Sequence, residues 1–434
     1  MNFFKKDGTF WKFKVPIFVL FCLSLILFII ASFYDQQMAD VTFKVFNNKF
    51  LKALTVFMDE MGLYIFEPIA FILFAIWWES FIYYQNKHAK NNFVRNNKWI
   101  HYSYYVLALS IYIGILVSQS ITRFENWDNG FGHDRDAKIM DTILYRYWAY
   151  GVVRVIQTSI VLISTYYLRF VFSKRSDVLE QQYWVDSFKA LLYMMILAFF
   201  IMIVKWSFGR PFWFHVHFSE ILAEKQKEDP SWVYDNTHIN WGTGVDGTGP
   251  VEYYPWWKPN HFFDSLKYWF LSEADKRKVT NVWYARAFPS GHTNSTFAAF
   301  GLWFCFIGEH KGRKMTNKKV WMLAFCFILL CTMKYSLFIM GFHWITDLEI
   351  STIFAILMIP AINSLVDRHM TFYINKFRTK VLKQELKATI VDTKKGFWLC
   401  YQWSYGIQPI GWYSNSKDKD SKIAKVIKRH SLVK

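Results

Sequence analysis

Long apolar runs recur along the chain, and they constrain its fold more than any other feature. Val15–Phe33, Tyr64–Tyr84 and Val320–Met340 each have about the 20 residues that a helix needs to cross a bilayer. Inside a bilayer the backbone must satisfy its own hydrogen bonds, so each run predicts an α-helix. We therefore predict an all-α, polytopic membrane protein with about eight transmembrane helices. The other five spans are predicted over 101–121, 147–172, 188–206, from within 286–295 to Lys311, and over 346–365.

Basic residues, 51 Lys and Arg against 33 Asp and Glu, are concentrated beside these runs. This placement indicates orientation by the positive-inside rule rather than nucleic-acid binding, so we expect no nucleic-acid partner. It predicts a cell-membrane protein with cytoplasmic N- and C-termini. The basic tail after Arg368 is then expected to lie against anionic lipids of the inner leaflet. The clearest inside marker is the cluster Lys311, Arg313, Lys314, Lys318 and Lys319.

The predicted spans divide the chain into three parts. Residues 1–37 form an N-terminal tail and first membrane helix, and residues 367–434 form the cytoplasmic tail. The membrane-embedded domain between them, 38–366, contains a long external loop over 207–289. Across the first boundary, Gln36–Met61 has apolar residues near helical spacing, which predicts an amphipathic helix on the outer face. Arg154 lies inside the fourth span, where a structural ion pair and a functional role are equally open.

Three polar clusters are predicted at span ends on the same, extracytoplasmic face: 205–213, 286–295 and 336–347. The second begins a predicted helix, and a helix N-terminus binds anions readily. Gly291 allows a tight turn there, and Ser290 with nearby backbone N–H groups can complete an anion cradle. The clusters therefore predict a site for a phosphate or a similar anion.

Charged and titratable residues in these clusters suggest how a phosphate would be bound and cleaved. Lys205 and Arg210 can neutralise phosphate oxygens. Of His292 and His343, one can attack phosphorus while the other protonates the leaving oxygen. Asp347 follows His343 by four residues, which places both on one helix face if a helix starts near His343. The carboxylate would then fix the imidazole tautomer.

These motifs resemble those of the type 2 phosphatidic acid phosphatase family, which is related to glucose-6-phosphatases and vanadium haloperoxidases. The family pattern is Lys-x6-Arg-Pro, then Pro-Ser-Gly-His, then Ser-Arg-x5-His-x3-Asp. Pro289–His292 matches the second motif fully, and His343 with Asp347 matches the end of the third. The resemblance covers roughly 38–365. It implies a metal-independent phosphatase without a cofactor, in which His343 forms a phosphohistidine and His292 is the general acid.

The chain departs from the family pattern at two places. Lys205 and Arg210 are separated by four residues instead of six, so Arg210 is either the family arginine after a deletion or a neighbour of it. In the third motif Leu337 replaces a phosphate-binding arginine. Lys334, one helical turn earlier on the same face, could extend outward and bind the phosphate in its place, or could merely reach the membrane interface.

The sequence thus favours hydrolysis of a phosphate monoester or pyrophosphate on a lipid. A phosphotransferase on the same scaffold, a catalytically impaired relative and a transporter are the alternatives. Phosphatidate, phosphatidylglycerophosphate and an isoprenyl pyrophosphate all stay open as substrates. We expect the lipid substrate and membrane lipids as partners, and the sequence favours no particular oligomeric state.

Overall fold

A computed structural model of the chain describes residues 10–43, 48–125, 143–228, 230–231, 253–258, 287–308, 313–382, 387–393, 396–403 and 406–414. Most of these residues are helical, and three strands follow the last helix. Most of the predicted external loop lies outside the described residues. The helices are α1 (Val15–Phe43), α2 (Lys49–Tyr64), α3 (Phe66–Lys87), α4 (Phe93–Asn96), α5 (Ile100–Glu125), α6 (Ile143–Phe170), α7 (Tyr183–Phe208), α8 (Trp213–Val216), α9 (Phe218–Glu228), α10 (Gly291–Gly301), α11 (Trp303–Phe306), α12 (Asn317–Ile339) and α13 (Ile345–Lys380).

Seven helical segments within the described ranges are long and apolar enough to cross a membrane. This confirms the prediction of an all-α, polytopic membrane protein. Helices α2 and α3 together form one of the seven, Lys49–Lys87. The predicted sixth span differs from expectation, because α10 and α11 are short and are separated at Leu302. Neither has the length of about 20 residues that a span requires.

The amphipathic helix predicted over Gln36–Met61 is wrong in extent and position. Its first residues belong to α1, which continues to Phe43, and α2 begins only at Lys49. Helix α2 packs against α6, α10 and α12. Its polar residues Asp59 and Glu60 are buried between these helices instead of facing solvent. The polar face of α2 therefore lies inside the bundle, whereas the sequence pattern predicted that it faces solvent.

Helix α10 lies at the centre of the bundle and contacts α2, α3, α7, α12 and α13. Buried Phe297 and Phe300 on α10 belong to an apolar core that also includes Leu330 of α12 and Ala355 of α13. Helix α1 packs along α13, and α3 packs along α7. The N-terminal turn of α10 is thus fixed by surrounding helices on several sides.

Arg154, whose role was open, forms a structural ion pair. Its Nη1 lies 2.7 Å from Glu67 Oε2, and its guanidinium lies 3.6 Å from the centre of the Tyr64 ring. The carboxylate and the aromatic face compensate the charge of an arginine inside a span.

A three-stranded antiparallel sheet follows α13, although the tail was predicted without strands. The strands are β1 (Lys387–Thr393), β2 (Gly396–Trp403) and β3 (Gly406–Ser414), in the order β1-β2-β3. Strands β2 and β3 form a hairpin with a bulge at Leu399/Cys400. The β-branched and aromatic residues of this tail favour strands, which the basic composition obscured.

Gly341 makes the turn between α12 and α13 possible. Its φ is +69°, a conformation that favours glycine. A Cβ at this position would lie 2.2 Å from Cε3 of the buried Trp213. The turn and the tryptophan therefore fit together only without a side chain at Gly341.

We expect Gly341→Ala to destabilise the fold by about 1–3 kcal/mol, because the methyl group overlaps an aromatic ring in a tightly packed core. Gly114→Ala is the matched control, since a Cβ there meets no atom within 4 Å. Thermal unfolding of both variants in detergent measures the effect. An unchanged midpoint for Gly341→Ala would contradict the packing described.

Candidate active site

The Ser290 turn begins α10 as predicted, and Ser290 is its N-cap. Ser290 Oγ accepts hydrogen bonds from the Thr293 backbone N–H at 3.3 Å and from Thr293 Oγ1 at 3.1 Å. Its own N–H donates to the Asp347 carbonyl, and Ser351 Oγ donates to its carbonyl oxygen. The buried hydroxyl therefore caps the helix and joins it to α13. The first N–H groups of the helix, beginning at Gly291, have no helical acceptor and are available to an anion.

His343 lies in the turn between α12 and α13, and Asp347 orients it. The Leu337 carbonyl accepts from the His343 backbone N–H at 3.2 Å. Asp347 Oδ2 lies 3.3 Å from His343 Nδ1 and accepts from the Trp344 N–H at 3.0 Å. The predicted pairing of His343 with Asp347 is thus present, and Nε2 is the nitrogen left to react. Burial lowers the pKa of the His343 imidazole to about 4, which favours its neutral, nucleophilic form.

Arg210 is fully buried and binds two carboxylates instead of facing the pocket. Its Nη1 lies 2.8 Å from Asp347 Oδ1, and its Nη2 lies 2.8 Å from Asp35 Oδ2. The remaining acceptors are Thr346 Oγ1 at 2.5 Å, Tyr253 OH at 3.2 Å and the Tyr254 carbonyl at 3.0 Å. An arginine has five N–H donors, and these five acceptors occupy them all. Arg210 therefore orients Asp347, in contrast to the phosphate-binding position expected from the sequence.

His292 is held by a second carboxylate, from α2. Its Nε2 lies 2.9 Å from Asp59 Oδ1, an ion-pair distance without the alignment of a hydrogen bond. Asp59 Oδ2 lies 2.8 Å from Nη1 of the fully buried Arg146. Arg146 Nη1 is also 3.5 Å from Glu60 Oε1, and Arg123 Nη2 contacts the same oxygen. Side chains of alternating charge therefore extend from His292 through Asp59, Arg146 and Glu60 to Arg123.

Both histidines face one pocket of about 550 Å³ at the predicted outer end of the bundle. Their ring centres are 6.2 Å apart in a T-shaped arrangement, so a group bound in this pocket can reach both imidazoles. The polar lining comes from Asp59, Lys205, Asn294, Ser295 and the two histidines. Most of the remaining wall is apolar and includes Leu63, Phe66, Leu197, Ala198, Ile201, Met202, Phe212 and Phe342.

The two lysines predicted to bind phosphate occupy different places. Lys205 lines the pocket, and its Cε would lie 3.8 Å from a Cβ at Gly291, so it is beside the first turn of α10. Lys334 Nζ lies 2.6 Å from Glu349 Oε2 on α13 and does not line the pocket. Leu337 is fully buried in the apolar core. The structure thus offers Lys205, but neither Lys334 nor Arg210, as the cation near the histidines.

Asp35 and Asp59 are the site residues that the sequence reasoning missed. Asp35 lies near the end of the first apolar run, and Asp59 lies in the segment interpreted as a surface helix. Acidic residues within or beside a membrane span are costly and are commonly functional. That signal was present for both residues, but their partners Arg210 and His292 are distant in sequence.

Comparison with known proteins gives two findings. The PAP2 superfamily model matches residues 187–370. An uncharacterized protein of Mycoplasma capricolum subsp. capricolum is 29% identical over 346 residues, which cover 76% of this chain and 86% of that protein. No solved structure matches the chain significantly. The PAP2 match contains both histidines, Lys205, Arg210 and Asp347, but excludes Asp35 and Asp59.

Gly62, one helical turn after Asp59, contacts the face of His292. A Cβ there would lie 2.5 Å from His292 Cδ2 and 3.0 Å from its Cβ. We expect Gly62→Ala to displace the imidazole from Asp59 and to lower the rate of phosphate ester hydrolysis by about 100-fold, as misplacement of a catalytic group by about 1 Å can do.

The assay compares kcat of purified Gly62→Ala and Gly151→Ala with that of the parent protein. Gly151 is also helical, and a Cβ there meets no atom within 4 Å. The control should keep both its activity and its melting temperature. Full activity of Gly62→Ala would show that the position of His292 does not depend on this contact.

Proposed function

Residues 187–370 of this chain belong to the PAP2 superfamily, and we propose on this basis that the protein is a membrane phosphatase that hydrolyses a lipid phosphate monoester or pyrophosphate. The observation that carries the proposal is the pocket in which His292 and His343 face each other, each with a carboxylate on one ring nitrogen. The reaction needs no metal or cofactor, because the histidines themselves supply nucleophile and acid.

In the proposed reaction, the Nε2 lone pair of His343 attacks phosphorus. The bond from phosphorus to the leaving oxygen breaks while protonated His292 gives that oxygen a proton. Water then attacks the phosphohistidine, His292 takes up a proton from the water, and phosphate leaves. Asp347 keeps the Nδ1 proton of His343 in place and stabilises the positive charge that develops on the ring.

Lys205 and the first backbone N–H groups of α10 would hold the phosphate during both steps. The lysine lies beside Gly291, so one phosphate can contact the ammonium group and the helix N-terminus together. Ser290 contributes indirectly by capping the helix, and Arg210 contributes by orienting Asp347. This assignment modifies the phosphate-binding roles expected for Ser290, Arg210 and Lys334.

The apolar wall of the pocket favours a lipid over a soluble phosphate ester. Leu63 and Phe66 from the α2–α3 segment face Leu197, Ile201 and Met202 of α7, and both segments are candidate membrane spans. A hydrocarbon chain can therefore lie between these segments while its phosphate reaches the histidines. A substrate that fits this pocket has an alkyl or prenyl chain and a terminal phosphate or diphosphate.

We also propose that the pocket opens on the extracytoplasmic side of the cell membrane, with both termini cytoplasmic. The basic residues between α11 and α12, and those after α13, are at the opposite ends of their helices from the pocket. The functional unit is the predicted domain 38–366 together with Asp35, because α1 continues across that boundary. The basic tail is proposed to contact anionic lipids and no nucleic acid.

The first test measures phosphate release by the purified protein from phosphatidate, phosphatidylglycerophosphate and a prenyl diphosphate. We expect His343→Ala to lower release by at least about 1,000-fold, since the nucleophile is lost. With phosphorus-labelled substrate, the parent should form an acid-labile, base-stable phosphoprotein that the variant lacks. His88→Ala, at the other end of α3, is the matched histidine control.

Equal release by the parent and His343→Ala would remove the phosphohistidine mechanism. Label that passes to an added acceptor lipid, with little free phosphate, would identify the phosphotransferase alternative. A folded parent protein that releases nothing from any of the three lipids would identify the catalytically impaired alternative, in which Leu337 in place of arginine has a functional cost.

The second test concerns Lys205. We expect Lys205→Met to lower kcat/KM by about 100-fold, the order of loss for one donor in a preorganised anion site, and Lys205→Arg to restore part of it. The control is Lys334→Met combined with Glu349→Gln, which removes an ion pair outside the pocket. Kinetics with phosphatidate measure both. Loss of activity in the control alone would assign the phosphate to Lys334.

A further inference from the structure

Asp59 is a carboxylate shared between a histidine in the pocket and an arginine behind it. One oxygen lies 2.9 Å from His292 Nε2, and the other lies 2.8 Å from Arg146 Nη1. The side chain is almost fully buried, and it also lines the pocket. Asp59 comes from α2, which lies outside the segment that matches the PAP2 superfamily.

The two carboxylates contact different ring nitrogens of the two histidines. Asp347 contacts Nδ1 of His343, which leaves Nε2 to act as the nucleophile. Asp59 contacts Nε2 of His292, which leaves Nδ1 to give and take a proton. A carboxylate on one nitrogen of an imidazole fixes which nitrogen reacts and stabilises the imidazolium.

We propose that Asp59 is a positioning residue for the general acid: it holds His292 so that Nδ1 points its proton at the leaving oxygen. This inference rests on the proposed phosphatase function and adds to it a carboxylate from the N-terminal helices. Asp59 acts through His292 and touches neither the phosphate nor the leaving group.

Proton balance is simple in this arrangement. Before the reaction His292 carries protons on both nitrogens and is paired with the Asp59 carboxylate. When the bond to phosphorus breaks, the Nδ1 proton moves to the leaving oxygen, and the Nε2 proton stays against Asp59. Attack of water on the phosphohistidine returns one proton to Nδ1, so Asp59 keeps its charge throughout.

Arg146 has a partner besides Asp59, which argues against a purely structural role for the aspartate. Its Nη1 lies 3.5 Å from Glu60 Oε1, so its charge keeps a carboxylate if Asp59 is neutralised. Glu60 does not line the pocket, whereas Asp59 does. Gly62, one helical turn after Asp59, packs against the same imidazole and limits its movement.

The test compares two leaving groups, because general acid catalysis matters only where the leaving oxygen needs a proton. Dodecyl phosphate releases an alkoxide, whereas 4-nitrophenyl phosphate releases a stable phenolate. We expect Asp59→Asn to lower kcat/KM for dodecyl phosphate by at least about tenfold and to change that for 4-nitrophenyl phosphate by less than about threefold. The experiment uses the full chain in detergent.

Three variants serve as references. Asp347→Asn weakens the nucleophile and should lower kcat/KM for both substrates to a similar extent. Glu67→Gln removes a carboxylate that pairs with Arg154 outside the pocket, and should leave the ratio of the two kcat/KM values unchanged. Asp59→Glu keeps the charge and should restore part of the dodecyl phosphate activity.

A double-mutant cycle with His292→Gln separates a positioning role from a loss of fold. If Asp59 acts through His292, Asp59→Asn causes no further loss in that background, whereas a folding defect would still lower the activity. Equal losses with both substrates, or no loss with either, would overturn the proposal. A parent protein inactive on both substrates would overturn the phosphatase function itself.

Discussion

The buried contact of Arg210 with Asp35 and Asp347 is the interaction on which the site depends. Both ion-pair distances are 2.8 Å, and all three side chains are almost completely buried. Removing Arg210 would leave two carboxylates without a cation in a low-dielectric interior, which is strongly destabilising. The contact joins α1, the chain after α7 and the start of α13. The position of Asp347, and through it that of His343, is therefore fixed by three separate parts of the bundle.

The pocket has few cations because the nearby arginines are paired with carboxylates elsewhere. Arg210 is occupied by its five acceptors, and Arg146 is held by Asp59 and Glu60. Leu337 lies in the apolar core, so the position of the missing arginine is used for packing. The electrostatic attraction for phosphate then falls on Lys205 and on the N-terminus of α10. The apolar wall is then the main further source of binding energy for the proposed lipid substrate.

Local patterns predicted the parts of the site that are close in sequence. The four-residue spacing of His343 and Asp347 and the start of a helix at Gly291 both depend on backbone geometry, and both are present. Charge placement predicted that the clusters share one end of the bundle. The partners of Arg210 and Lys334 were not predictable in this way, because a buried cation takes whichever carboxylate tertiary packing brings to it. Asp59 was missed because its polar stripe fits a surface helix as well as a buried one.

Residues outside the PAP2 match complete the His292–Asp59 pair and the set of carboxylates on Arg210. Residues 187–370 contain His292, His343 and Asp347, but the carboxylate beside His292 comes from α2, and the second carboxylate on Arg210 comes from α1. Without these helices His292 Nε2 would have no charged partner among the contacts described, and Arg210 would carry one carboxylate instead of two. The first two helices are therefore part of the same structural unit as the site, and their acidic residues connect the membrane bundle to the two histidines.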